Sequence, residues 1–182
     1  WIPSLYDATF VCYSWSKSFS LPGERIGYLL VPDTMPDFDH VYKAVCGAGR
    51  SLGYICDSVL FQLAVAECVD APIDIEPYDR NRKILYDGLK EIGYNVIYPQ
   101  GAFYMMAALP VDNADTFQKW LLTDFDDNGD TVMFAPGEGF YATPGKGLNE
   151  IRIAYVLKQK DLERAMDLLA LGIKKYNETH CK

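Results

Sequence analysis

Histidine is scarce in this 182-residue chain, paired cysteines are missing, and there is no excess of basic charge. The two histidines, His40 and His180, both lie in polar surroundings, so a histidine-based metal centre is not expected. The five cysteines are Cys12, Cys46, Cys56, Cys68 and Cys181, an odd number with no Cys-x-x-Cys pair. That argues against a disulfide framework and a zinc site, and for a reducing, cytoplasmic compartment. No apolar run approaches the roughly 18 residues of a membrane span. No signal-peptide pattern, repeat or low-complexity stretch is present. Acidic residues outnumber basic ones, 25 to 17, for a formal net charge of −8, and the longest basic run is Lys174–Lys175. Nucleic acid and anionic membrane surfaces, which need basic clusters, are therefore not expected partners.

What is present is ordinary globular composition, 49% hydrophobic and 23% charged. A chain of this length can bury a real core without staples. It opens at Trp1 and runs straight into a strand-like pattern, so it reads as a piece of a longer protein.

The apolar spacing predicts strands over 10–13 and 26–31, with a turn at Pro22–Gly23 between them. Helices are expected from Pro36 to about Val45 and over 58–69, the second largely buried through Val59, Leu60, Leu63, Ala64 and Ala66. The longest helical stretch, 73–92, reads as a helix bridging two parts of a larger molecule, closed by Gly93. Strands follow at 94–98 and 103–108, a helix near 114–123, and strands at 131–135 and 151–156. The last helix, about 160–176, is amphipathic, with acids in its first turn and lysines in its last, as the helix dipole favours. Mixed strands and helices make this an α/β chain.

The chemistry concentrates in Ser14-Trp-Ser-Lys17-Ser-Phe-Ser-Leu-Pro-Gly-Glu-Arg25-Ile-Gly-Tyr28. Lys17 follows a strand in a hydroxyl-rich loop, and a second cation, Arg25, opens the next strand. Burial and a neighbouring cation both favour the neutral amine, which can attack a carbonyl. Ser14 and Arg25 together suit a phosphate. Ser14 and Lys17 alone also match Ser-x-x-Lys of penicillin-binding enzymes, but the Ser-x-Asn and Lys-Thr-Gly elements of that class are missing.

The whole segment resembles the lysine motif of class I aminotransferases of fold type I, of the aspartate-aminotransferase-like kind. Three further stretches resemble the same family: Pro99-Gln-Gly-Ala-Phe-Tyr104, Ala135-Pro-Gly-Glu-Gly-Phe140, and Asn149-Glu-Ile-Arg152-Ile-Ala-Tyr155. The resemblance covers essentially the whole chain. It implies that Lys17 carries pyridoxal 5'-phosphate, that Ser14 and Arg25 bind the cofactor phosphate, and that Arg152 grips the substrate α-carboxylate. It implies the C-terminal portion of the fold: residues 1–71 as the end of the large cofactor-binding domain and 72–182 as the small α/β domain.

By the same resemblance, the full-length parent is a homodimer that transfers an amino group between an amino acid and a 2-oxo acid. One departure stands out. The family's aspartate for the pyridine nitrogen lies well upstream of the lysine, and only sixteen residues precede Lys17. Asp7 and Tyr6 are too close to serve. The chain by itself is therefore expected to be a poor catalyst. The competing expectations are a truncated, non-catalytic piece and a β-lyase on the same scaffold.

Overall fold

The structure, a computed structural model, describes residues 1–180, so Cys181 lies outside the described residues. The chain divides into two compact units, one covering Trp1–Ile73 and the other starting at Asp74.

The first unit is built on a two-stranded antiparallel hairpin, β1 (Val11–Ser14) and β2 (Gly27–Leu30), in the register Val11↔Leu30 to Ser14↔Gly27. A single helical turn, α1 (Trp15–Ser18), follows β1 directly. Two helices come next, α2 (Phe38–Ser51) and α3 (Val59–Cys68). Helix α2 runs past the expected end near Val45. Its stop is Gly53, whose φ of 90° lets the Leu52 and Gly53 amides turn back onto the carbonyls of Ala48 and Arg50.

Helix α3 departs from expectation. Only Val65 is buried, while Val59, Leu60 and Leu63 are 66%, 70% and 64% exposed. An apolar helix is buried only where something packs around it. Little within Trp1–Ile73 does so, and that unit buries just Ile26, Val31, Met35 and Val65.

The second unit holds the hydrophobic core. Its sheet is wholly antiparallel in the order β3-β4-β6-β5, with β3 Asn95–Val96, β4 Tyr104–Ala108, β5 Ala135–Pro136 and β6 Glu150–Ala154. Helices α4 (Glu76–Glu91), α5 (Ala114–Thr123) and α6 (Gln159–His180) pack with it. Strand alternation sends Met105, Ala107 and Ile151 to one face. There they join Leu85 and Leu89 of α4, Phe117 and Leu121 of α5, and Leu162 and Leu169 of α6 in one cluster. Each such side chain, fully buried, contributes about 1.5–3 kcal/mol.

Helix α4 therefore belongs to the second unit, where its apolar stripe is core. Asn113 caps α5 by accepting the Thr116 amide at 2.9 Å, as its position just before the apolar run favours.

The strand expected over 131–135 shrinks to its last residue. Thr131 Oγ1 donates to the Leu121 carbonyl, and the Phe134 amide donates to Gln118 Oε1. The segment thus spends its hydrogen bonds on helix α5, and pairing begins only at Ala135.

Tyr94 is 4% exposed, and its hydroxyl has no hydrogen-bond partner among the described residues. Burial alone pushes the phenol well above its ordinary range. Tyr94→Phe removes an unmet donor at nearly constant volume. It is expected to raise stability by about 1 kcal/mol in urea denaturation, and a loss of that size would show that the hydroxyl is paired.

Candidate active site

The candidate side chains fall into two sets, one in each unit. In the first, the hairpin register sets the arrangement. Ser14 ends β1 opposite Gly27 at the start of β2, so the segments carrying Lys17 and Arg25 leave the hairpin at the same end. The Trp15 amide extends the pairing by donating to the Ile26 carbonyl. Ser14 is the N-cap of α1: its Oγ accepts the Ser16 amide at 3.1 Å and donates to Ser16 Oγ at 2.7 Å. Lys17 sits on that turn rather than in an open loop, and its side chain is exposed rather than buried.

The connection between α1 and β2 is strained. Ser20 and Arg25 both adopt left-handed backbone, with φ of 57° and 55°. Non-glycine residues held there cost on the order of 1 kcal/mol or more and cluster at functional sites. Arg25 Nη1 donates to the Pro22 carbonyl at 2.7 Å, which anchors the guanidinium to its own loop. At the root of the loop only glycine fits at position 27: a Cβ there would lie 2.4 Å from the Tyr13 carbonyl oxygen. Tyr13, Trp15 and Tyr28 brace the hairpin, with ring centroids 5.5 Å apart in each pair.

One primary amine, one guanidinium and the hydroxyls of Ser14 and Ser16 thus share a single hairpin end. That donor set fits a ligand with an aldehyde and a phosphate: the amine for the carbonyl carbon, the guanidinium and hydroxyls for the phosphate oxygens.

In the second unit, Arg152 lies at the centre of β6, paired with Met106 of β4 and Ala135 of β5. It faces away from Ile151 and the core, on the open side of the sheet. Its guanidinium carbon sits 4.5 Å from the ring centre of Tyr104 and 4.6 Å from that of Phe140. Such contacts hold a cation by about 0.5–2 kcal/mol each without using its hydrogens. Among the described residues no carboxylate pairs with Arg152 and no acceptor takes its N–H groups. By contrast, Arg164 is committed to Asp127 and Asp130 at 2.8 and 3.1 Å, and Arg82 to Asp79. Arg152 borders a pocket of about 650 Å³ that also touches Tyr104, Phe134 and Ala135. A half-buried, aromatic-held guanidinium with its fork open has the geometry that suits a planar oxyanion.

A family model described as aminotransferase class I and II fits residues 4–169. The chain belongs to the class I and II aminotransferases. Among relatives of this aminotransferase is a probable N-acetyl-LL-diaminopimelate aminotransferase of Bacillus subtilis. It is 30% identical over 179 residues, covering 96% of this chain and 42% of the relative.

A solved aminotransferase structure from Eubacterium rectale is 41% identical with a TM-score of 0.77, over 97% of this chain and 42% of that one. LysN, the α-aminoadipate aminotransferase of Thermus thermophilus complexed with N-(5'-phosphopyridoxyl)-L-leucine, shares the fold at 19% identity and a TM-score of 0.75. It covers 97% of this chain and 44% of that one. The aminotransferase chain described here thus spans about two fifths of the length of the relatives it matches.

Two rings went unassigned in the sequence. Tyr104 and Phe140 end two of the family-like stretches, but nothing in their spacing says that both meet Arg152. That follows only from strand register and the loop after β5.

The hairpin analysis has a direct consequence. Gly27→Ala is expected to force β1 and β2 apart and to cost about 1–3 kcal/mol, as overpacking against backbone does. The measure is the midpoint of thermal unfolding, and an unchanged midpoint would show that the hairpin is looser than drawn.

Proposed function

We propose that the whole enzyme transfers an amino group between an amino acid and a 2-oxo acid, using pyridoxal 5'-phosphate held by Lys17. The observation that carries this reading is the shared hairpin end, where Lys17, Ser14 and Arg25 meet the chemistry of an aldehyde bearing a phosphate. Membership of the aminotransferase family supports it. The residues 1–71 then belong to the large cofactor-binding domain and 72–182 to the small domain. We assign the whole enzyme as a cytoplasmic homodimer, as the family resemblance implies.

When bound, the cofactor supplies an aldehyde and an electron-withdrawing ring, which the protein must hold and orient. Lys17 Nζ would hold the cofactor aldehyde and, as a free amine, would move the proton at the substrate Cα. Arg25 and the Ser14 hydroxyl hold the phosphate. Arg152 receives the α-carboxylate on its open N–H edge and so fixes how the Cα–H bond points. Two relatives are named for amino or oxo acids, N-acetyl-LL-diaminopimelate in Bacillus subtilis and valine with pyruvate in Mycobacterium tuberculosis, which is consistent with that role for Arg152.

Lys17→Ala in the intact enzyme is expected to abolish the visible absorbance of the lysine-bound cofactor together with nearly all turnover. Cofactor that can still be fixed to the variant by borohydride would remove Lys17 from its role. Arg152→Lys keeps the charge but loses the fork, and should raise KM for amino acids by about tenfold or more. Amines without a carboxylate should be little affected, and an equal effect on both substrate types would rule out the carboxylate contact.

A further inference from the structure

Phe140 is 51% exposed and is not part of the hydrophobic core, yet its ring lies against the Arg152 guanidinium. Nothing in the core fixes it there. Its position depends on the backbone of the loop between β5 and β6, which it occupies with a short 3-10 turn, Glu138–Phe140.

That loop is tied down at both ends by one residue, Glu150 of β6. At the near end the Gly137 amide donates to the Glu150 backbone carbonyl at 2.7 Å. At the far end the Tyr141 hydroxyl donates to Glu150 Oε2 at 2.5 Å. The Tyr141 ring is half-buried against Gly147. Gly147, at φ 74°, leaves room for it, since a Cβ there would lie 2.4 Å from Tyr141 Cε2. Lys146 Nζ lies 5.1 Å from the centre of the ring on its other contacts. The phenol is held in its neutral, donating form by the hydrogen bond to Glu150. Glu150 and Arg152 are two residues apart on one strand and share its open face.

We propose that Tyr141 and Glu150 are positioning residues for substrate binding. Their hydrogen bond holds the 137–147 loop so that Phe140 covers Arg152 and shields the carboxylate contact from water. This rests on the reading of Arg152 as the carboxylate receptor. A guanidinium with a ring over it is less hydrated, and its bond to a carboxylate is correspondingly stronger. Without the Tyr141 hydroxyl, the loop keeps its near-end tie from Gly137 to Glu150 but loses the far one, beside the half-exposed Phe140.

The test uses the intact enzyme, assayed with an amino acid substrate. Tyr141→Phe keeps the ring and removes the donor. It is expected to raise KM for the amino acid by about threefold to tenfold, with kcat changed by less than about twofold. In a Phe140→Leu background the same substitution should add nothing further, because it acts through Phe140. Independently of turnover, the amides of residues 138–147 in the cofactor-free intact protein should exchange with solvent faster in Tyr141→Phe.

Glu150→Gln, which keeps an acceptor for the hydroxyl, should show a smaller rise in KM, and it carries the test if Tyr141→Phe does not fold. Faster exchange with unchanged KM would mean a purely structural clamp and would overturn the proposal. So would full additivity with Phe140→Leu. If Arg152→Lys leaves amino-acid KM unchanged, the carboxylate reading falls and this inference falls with it. If Arg152→Lys acts and Tyr141→Phe does not, only this inference falls.

Discussion

Arg152 stands on the open face of its sheet because Ile151 and Ile153 occupy the closed one. The β4–β6 register pairs Met105 with Ile153 and Ala107 with Ile151, and so turns Met106 and Arg152 outward together. A slip of one residue would exchange the two faces, placing the guanidinium among Leu85, Phe117 and Leu162 and leaving the isoleucines in water. An unpaired charge in such a core costs several kcal/mol. Core and candidate site are therefore two consequences of one register, and the apolar side of the strand enforces the polar side.

The first unit has no comparable enforcement. Its hairpin is locked locally, by Gly27 under Tyr13, by three aromatic rings and by the Ser14 cap. Its helices bury almost nothing, and Leu60, Tyr54 and Ile55 are at least 70% exposed. Precise local geometry around Lys17 thus coexists with a weakly packed scaffold. A hairpin fixes its own loop through backbone contacts, whereas helices need a neighbour to define a face.

Much was legible in advance wherever one kind of signal acted alone. Helix α5 was expected over 114–123 and occupies Ala114–Thr123, because Asn113 caps it and its apolar spacing has one period. Lys17, Ser14 and Arg25 stood out because the whole segment that carries them resembles the lysine motif of class I aminotransferases. Errors arose where a neighbour outside the local window decided. Val132 to Phe134 read as strand by composition, but Gln118 and Leu121 on α5 compete for its hydrogen bonds. Helix α3 reads as buried by composition, and composition cannot say what covers it.

The sequence by itself determined the kinds of chemistry available: an amine, a cation and hydroxyls on a strand–turn–strand segment, and a strand arginine. It determined the family through stretches whose wording survives without any coordinates. Tertiary structure alone decided which groups meet. Tyr104 and Phe140 are neighbours of Arg152 although 48 and 12 positions away in the chain. Tyr141 finds Glu150 only because a left-handed Gly147 lets the loop fold back. The reason is physical. Side-chain type and spacing act over a few residues, but register and loop closure are set by burial of the core, which sums contacts from the whole unit.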